Sequence, residues 1–216
     1  MTDYVAGGRR LGQVPRTTEA EDAVSVSRAL RARIGPPAGW WGMLILIASE
    51  SMLFATFIAA YYYLRFTSPE WPQDGLSPPK IAVPLILVGC LVATSVPMQL
   101  ASLAARAGRV AATRLFLVAA LIVQSGYFAY EVHDFQDQLR KFDIGRNAYS
   151  SIYYTLLGAD HAHVALGILF DLWLLAKLAT GLTTYRANAT QAIAWYWHAV
   201  NLITLAVIGT LLSANV

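Results

Sequence analysis

Nine polar side chains, most of them able to carry a proton or bind a metal ion, lie inside stretches that are otherwise apolar, and eight of them are candidates for a functional site. The five that we expect to form one intramembrane cluster are Glu50, Asp160, His163, His198 and Asn201. Three secondary candidates are Gln124, Glu131 and His161. A charged group at the centre of a bilayer costs about 2.5–3.5 kcal/mol on insertion scales. Side chains so costly to bury are expected to face one another rather than lipid.

Three kinds of chemistry are compatible with this cluster. The first is hydrogen bonding between helices, which contributes about 0.6–2 kcal/mol per bond. The second is proton handling by Glu50 and a histidine, because burial favours the protonated form of a carboxyl group. The third is a metal site on the helix face that Asp160 and His163 share, with Glu50 and His198 as further ligands. The sequence has no Glu-x-x-His pair of the kind that binds metals in helical bundles, and we expect no metal.

The composition is that of a membrane protein without redox centres of its own. Of the 216 residues, 56% are hydrophobic and 13% are charged, whereas a soluble domain has about 25% charged residues. The single cysteine, Cys90, excludes an internal disulfide, a two-cysteine copper centre, a covalent haem motif and a four-cysteine zinc or iron–sulfur site. We therefore expect no cofactor held by this chain alone.

Five apolar stretches are long enough to cross a bilayer as helices, which takes about 20 residues each. They cover residues 41–64, 81–103, 112–132, 149–175 and 192–213. The sequence thus predicts an all-α polytopic membrane protein with five transmembrane helices. Residues 1–35 are predicted to be a polar, basic arm, partly disordered or forming an interfacial helix, and residues 36–216 the membrane domain. Lysine and arginine are more frequent on the side of the amino terminus, which predicts a cytoplasmic amino terminus and an outer carboxy terminus.

Polar and aromatic residues near the ends of the spans have simpler expected roles. Asp171 is expected near the inner end of the fourth span, facing headgroups or another subunit. Glu131 and Asp134 are expected at the outer boundary, where water is available. The tryptophans of Trp195–Trp197 fit an aromatic belt at the membrane surface. The proline-rich stretch of residues 68–79 is predicted to be an irregular cap rather than a helix.

Five motifs, taken in order, resemble subunit III of the haem–copper oxidases. They are the glutamate-bearing helix Gly42–Phe66, the cap Trp71–Leu76, Tyr130–His133, the histidine segment Leu157–Gly167, and Tyr196–Asn201. The resemblance runs from about residue 40 to the end. It is to the five-helix form of that family, which is shorter than the seven-helix form.

The chain departs from the family pattern at five positions. Asp160 stands where the pattern has a histidine, and His161 where it has a glycine. Asn201 replaces an aspartate, Thr204 a tryptophan, and Phe128 a glutamine. These changes leave open which hydrogen bonds connect the fourth and fifth spans.

The resemblance implies an accessory subunit of a proton-pumping haem–copper terminal oxidase of aerobic respiration. Such a subunit packs on subunit I, and its complex also contains subunit II and in some cases small subunits. It holds phospholipids in a cleft between its helix groups and sustains turnover and proton uptake. Haem and copper lie in the partner subunits, so this chain is not itself catalytic. The implied location is the bacterial plasma membrane, and no nucleic-acid partner is expected.

Other functions remain compatible with the same residues. One is an accessory role in a nitric oxide reductase or a quinol oxidase, since no residue of this chain indicates the electron donor. The other is an autonomous proton carrier that uses Glu50, His163 and His198.

Overall fold

The computed structural model describes residues 38–215, and the arm predicted for residues 1–35 lies outside the described residues. All regular structure in the described part is helical. The helices are α1 (Ala38–Thr67), α2 (Ala82–Ala93), α3 (Ser95–Arg106), α4 (Val110–Lys141), α5 (Ala148–Leu178) and α6 (Thr184–Leu212), followed by a 3₁₀ turn at Ser213–Asn215. Taking α2 and α3 as one span, five helices are long and apolar enough to cross a membrane. The predicted fold class is confirmed.

The second span is broken at Thr94 because of Pro97. Proline has no N–H and its ring collides with the carbonyl of the residue four positions earlier, which here is Ala93, the last residue of α2. Thr94 closes the break, since its backbone N–H and its hydroxyl both donate to the Leu91 carbonyl, at 3.0 and 2.6 Å. The apolar pattern predicted one helix here, and the proline divides it into two.

Helix α4 is about two turns longer than its apolar stretch. It continues through charged residues to Lys141 and ends where Phe142 adopts an extended backbone. Within this extension His133 faces Asp137 at 3.7 Å, one turn apart. Polar residues form helices as readily as apolar ones, so the end of the apolar run marked the membrane boundary rather than the end of the helix.

Helix α6 is the centre of the bundle, in contact with α1, α2, α3 and α5. Helices α2, α4, α5 and α6 form a ring in which neighbours pack together, while the Cα atoms of the opposite pairs, α2 with α5 and α4 with α6, stay more than 8 Å apart. Helix α1 packs outside this ring on α5 and α6 and is the least buried span. Its apolar side chains, such as Met52 at 72% exposure, face away from the bundle, as expected for a surface in contact with lipid or another subunit.

The stretch between α1 and α2 is an irregular cap fixed to the start of α5, as its prolines predict. The Trp71 indole donates to the Tyr61 hydroxyl at 3.1 Å and packs edge-on against the Tyr149 ring. The Asn147 amide donates to Asp74 at 2.7 Å. Asn147 also accepts a bond from the Ser150 backbone N–H at 2.8 Å and so caps the amino end of α5. We call the end of the bundle formed by residues 68–81 and 142–147 the capped end.

Helices α5 and α6 pack closely at a glycine, Gly167. A Cβ atom at Gly167 would lie 2.6 Å from Cζ2 of the Trp197 ring. The Trp197 ring is fully buried, so it has no free space into which to move.

We expect Gly167→Ala to lower the stability of the protein by about 1–3 kcal/mol, the usual cost of an overpacked core. The measurement is the thermal unfolding midpoint of the purified protein in detergent. The matched control is Gly126→Ala, a helical glycine whose added methyl meets nothing within 4 Å. Equal midpoints for the two variants would show that Trp197 does not limit the approach of α5 to α6.

Candidate functional site

One turn of α5, residues Asp160–His163, carries polar contacts to three neighbouring helices. Successive helical residues point about 100° apart, so the side chains of a single turn reach in all directions around the axis. Asp160 faces α6, His161 faces α4 and His163 faces α1. We call these residues the polar turn of α5.

The contact with α1 is between His163 and Glu50. Nε2 of His163 lies 2.9 Å from Oε2 of Glu50, and its Nδ1 lies 2.7 Å from the Ala159 carbonyl oxygen. A carbonyl only accepts, so Nδ1 carries a proton. The bond between Nε2 and Oε2 therefore contains one proton, held either by the imidazole or by the carboxyl group. The pair has no net charge in either state, which lowers the cost of placing it inside a membrane.

The contact with α4 is a second histidine–glutamate pair. Nε2 of His161 lies 3.5 Å from Oε2 of Glu131, and its Nδ1 is bonded to the Leu157 carbonyl. Glu131 is only 6% exposed. Glu131 is therefore mostly covered by α5, although it also lines a cavity at the capped end.

The contact with α6 joins two of the positions that depart from the family pattern. The Thr204 hydroxyl donates to Oδ1 of Asp160 at 2.7 Å, and both side chains are almost fully buried. An aspartate here needs a donor, and Thr204 supplies it from the adjacent helix. The two departures therefore form one interhelical bond, which the sequence left open.

The remaining two members of the predicted cluster face α3 instead of Glu50. Nε2 of His198 lies 3.3 Å from Oε1 of Gln99, and the Asn201 amide donates to the Ser95 hydroxyl at 2.8 Å. The five residues predicted as one cluster are thus divided into contacts of α5 with α1, of α5 with α6, and of α6 with α3. The depths estimated from the sequence placed all five side chains at a similar height in the membrane. The rotation of each helix about its own axis nevertheless points them toward different partners.

Asp171, which the sequence predicted to face headgroups or another subunit, is fully buried. The Trp197 indole N–H donates to Oδ2 of Asp171 at 2.8 Å. With its amide nitrogen toward α5, Gln124 donates to the same oxygen at 2.9 Å and to the Ala120 carbonyl at 3.2 Å. Asp171 therefore does not face headgroups, and Trp197 does not belong to an aromatic belt. The predicted span ended only four residues after Asp171, about 6 Å, so the sequence held no signal that this side chain points to α6.

In residues 38–215, no three histidine, cysteine, aspartate or glutamate side chains are arranged to hold a metal ion. Their geometry instead supports hydrogen bonding and the sharing of protons between neighbouring helices. These features define the class as a multi-pass helical membrane protein whose buried polar groups connect its own helices.

The family model described as cytochrome c oxidase subunit III matches residues 36–211, and the chain belongs to that family. The resemblance drawn from the five motifs is confirmed. As a member of the family, the chain is an accessory, multi-pass membrane subunit of a respiratory-chain oxidase.

Relatives from bacteria and from an animal share this similarity. The chain is 28% identical over 174 residues to the probable cytochrome c oxidase subunit 3 of Nocardia farcinica, covering 79% of this chain and 85% of the relative. It is 24% identical over 191 residues to cytochrome c oxidase subunit 3 of Alkalihalophilus pseudofirmus, covering 84% and 91%. For cytochrome c oxidase subunit 3 of Petromyzon marinus the identity is 28% over 172 residues, and the match covers 76% of this chain but 65% of the longer relative.

We expect Thr204→Val to destabilise the protein by about 1–3 kcal/mol, because it leaves the buried Asp160 carboxyl group without its donor. The measurement is again the thermal midpoint in detergent. Thr210→Val is the matched control, since the buried Thr210 hydroxyl donates only to the Ala206 carbonyl of its own helix. A midpoint for Thr204→Val equal to that of Thr210→Val would contradict a role for the Thr204–Asp160 bond in joining α5 to α6.

Proposed function

We propose that this chain packs on subunit I of a proton-pumping haem–copper oxidase in a bacterial plasma membrane, with its amino terminus in the cytoplasm. Subunit II and small subunits complete the complex in this proposal, and haem and copper lie in those partners. The role of the chain is to sustain turnover and proton uptake, with phospholipids bound at its surface. Family membership supports the assignment to an oxidase.

The observation that carries the proposal is the position of the Glu50–His163 pair. Glu50 is 26% exposed and His163 is 16% exposed as side chains, so the pair lies at the surface of the bundle where α1 packs on α5. On both sides of Glu50 the outer face of α1 presents apolar side chains, including Ile45 and Met52. An apolar face that contains a partly accessible proton-sharing pair suits contact with a subunit that takes up protons.

Purification of the chain with its native partners tests the assembly. We expect a haem-bearing subunit to co-purify in mild detergent, with dithionite-reduced minus oxidised spectra that show the haem. The apolar face of α1 would otherwise be covered only by detergent, so the chain alone should be less stable than the complex. A stable homo-oligomer without haem would exclude the oxidase role and favour an autonomous proton carrier.

Substitution of Glu50 separates positioning from proton transfer. We expect Glu50→Ala to leave the haem spectra of the complex unchanged but to shorten the time over which turnover is sustained. We expect Glu50→Gln to retain most of that lifetime, because its amide can donate to Nε2 of His163 in place of the shared proton. The measurement is oxygen consumption against time, with initial proton uptake recorded in parallel.

The control for these variants is Glu70→Ala, which removes a carboxylate exposed in the cap. If Glu50→Gln were as damaging as Glu50→Ala in an intact complex, Glu50 would act by carrying protons rather than by holding His163. Loss of the haem signals with the subunits still assembled would contradict the accessory role itself.

A further inference from the structure

The second histidine–glutamate pair, His161 with Glu131, adjoins a cavity at the capped end. The cavity has a volume of about 550 Å³ and lies between α2, α4, α5 and α6. Glu131 lines it together with four further side chains that carry a charge or an amide group, which are Lys80, Asp134, Gln138 and Lys141. A cavity of this size with polar walls holds water. Water at the capped end therefore reaches the carboxyl group of Glu131.

The contact between the two side chains becomes a bond only with a proton. Nδ1 of His161 is bonded to the Leu157 carbonyl, and a carbonyl only accepts, so Nδ1 carries the hydrogen of the neutral ring. Nε2 then presents a lone pair to Oε2 of Glu131 at 3.5 Å, and this buried atom has no hydrogen-bond partner among residues 38–215. Two acceptors that face each other attract only when a proton lies between them. The pair is therefore a binding position for one proton.

Charged and titratable side chains of both signs surround this position. Asp160 adjoins His161 on α5, and Asp134 lies one turn from Glu131 on α4, so both carboxyl groups attract a proton to the pair. Lys80 and Lys141 line the cavity and repel it. The other titratable groups that face this region are Tyr127 on α4, Tyr153 and His163 on α5, Tyr196 on α6 and Glu50 on α1. Because the charges oppose one another, the pair can both bind and release a proton.

The two histidine–glutamate pairs of α5 open toward different surroundings. His161 and His163 are two residues apart and contact different helices, α4 and α1. Glu50 is partly accessible at the surface of the bundle, whereas Glu131 is accessible from the cavity. The Glu131 pair therefore responds to the water at the capped end, which the Glu50 pair does not face.

We propose that Glu131 and His161 form a proton-binding site that is filled from the water at the capped end, and that the bound proton makes the contact between α4 and α5 depend on the pH of that side. With the proton, one side chain donates to the other and joins the two helices. Without it, a carboxylate faces a lone pair and the attraction is lost. The contact is thus present at acidic pH and is lost as the pH rises through the apparent pKa of the pair.

The inference rests on the proposed function, which places the amino terminus in the cytoplasm. The capped end, which follows the first span, then lies on the outer side. Protons pumped by the oxidase arrive on that side, so activity of the complex would strengthen the contact between α4 and α5.

Nuclear magnetic resonance of the full chain in detergent, isotopically labelled at its histidine nitrogens, tests the proton site. We expect the Nε2 resonance of His161, assigned by its absence from His161→Asn, to titrate between a protonated and a bare position. In Glu131→Gln the amide donates to Nε2 at every pH, so the wild-type midpoint should be absent. The control Asp137→Asn, which changes an exposed acid of the same helix that faces His133, should keep it. A resonance that does not titrate, or titrates identically in Glu131→Gln, would overturn the site.

The oxidase complex in proteoliposomes, oriented with the capped end toward the outer buffer, tests the sidedness. The inner pH is held constant, the outer pH is varied, and the time over which turnover is sustained is recorded with an artificial electron donor. We expect the wild type to last longer at acidic than at alkaline outer pH. Glu131→Gln should keep the longer lifetime at every outer pH, and Glu131→Ala the shorter one. Asp137→Asn should behave as the wild type.

The same outer-pH dependence in the wild type and in both Glu131 variants would overturn the proposed regulation. A difference between the wild type and Glu131→Gln that follows the inner pH instead would overturn access from the capped end. The two experiments also separate this inference from the proposed function. A pair that titrates in a chain without a haem partner refutes only the oxidase assembly, whereas a haem-bearing complex whose Glu131 variants match the wild type refutes only this inference.

Discussion

The hydrogen bonds of the polar turn of α5 are the interactions on which the packing of the bundle depends. Lipid offers no partner to a buried carboxyl group or imidazole, so each must be paired by another helix or by a neighbouring subunit. Asp160 is hydrogen-bonded to α6 and His163 to α1, while His161 has a looser contact with Glu131 of α4 at 3.5 Å. The two bonds and this contact specify the rotation of α5 about its axis, because turning the helix by one residue would break all three. Apolar packing alone permits many rotations of similar energy.

Helix α6 makes the second set of polar contacts, which link the divided second span, α2 and α3, to the other helices. The break before Pro97 separates α3 from α2. Asn201 and His198 of α6 then contact Ser95 and Gln99 of α3. Next to His198 along α6, Trp197 forms a fully buried hydrogen bond with Asp171 of α5. The polar groups inside the bundle therefore connect helices that are distant in sequence, while many exposed side chains of the spans are apolar.

The capped end differs from the rest of the bundle because its polar groups are not all paired between helices. The ring of α2, α4, α5 and α6 is filled by side chains over most of its length, but near the cap its centre is open and carries charges. The cap cannot close this space, because its own bonds hold it to the start of α5. A polar, open site at one end and a paired, closed interior elsewhere are expected of a helical bundle that meets headgroups at that end.

The sequence by itself determined the five spans, the family and the burial of Gln124, Asp160 and Asn201, because hydropathy and residue type report on depth in the membrane. It also placed Glu50 and His163 at compatible depths, and they do bond. Only the tertiary structure decided that His198 faces Gln99, that Asp160 bonds Thr204, and that Asp171 is held by Trp197. Depth is a property of position along one helix, whereas partners depend on how each helix is rotated and tilted against the others. Those angles follow from packing of the whole bundle, as in the approach of Gly167 to Trp197.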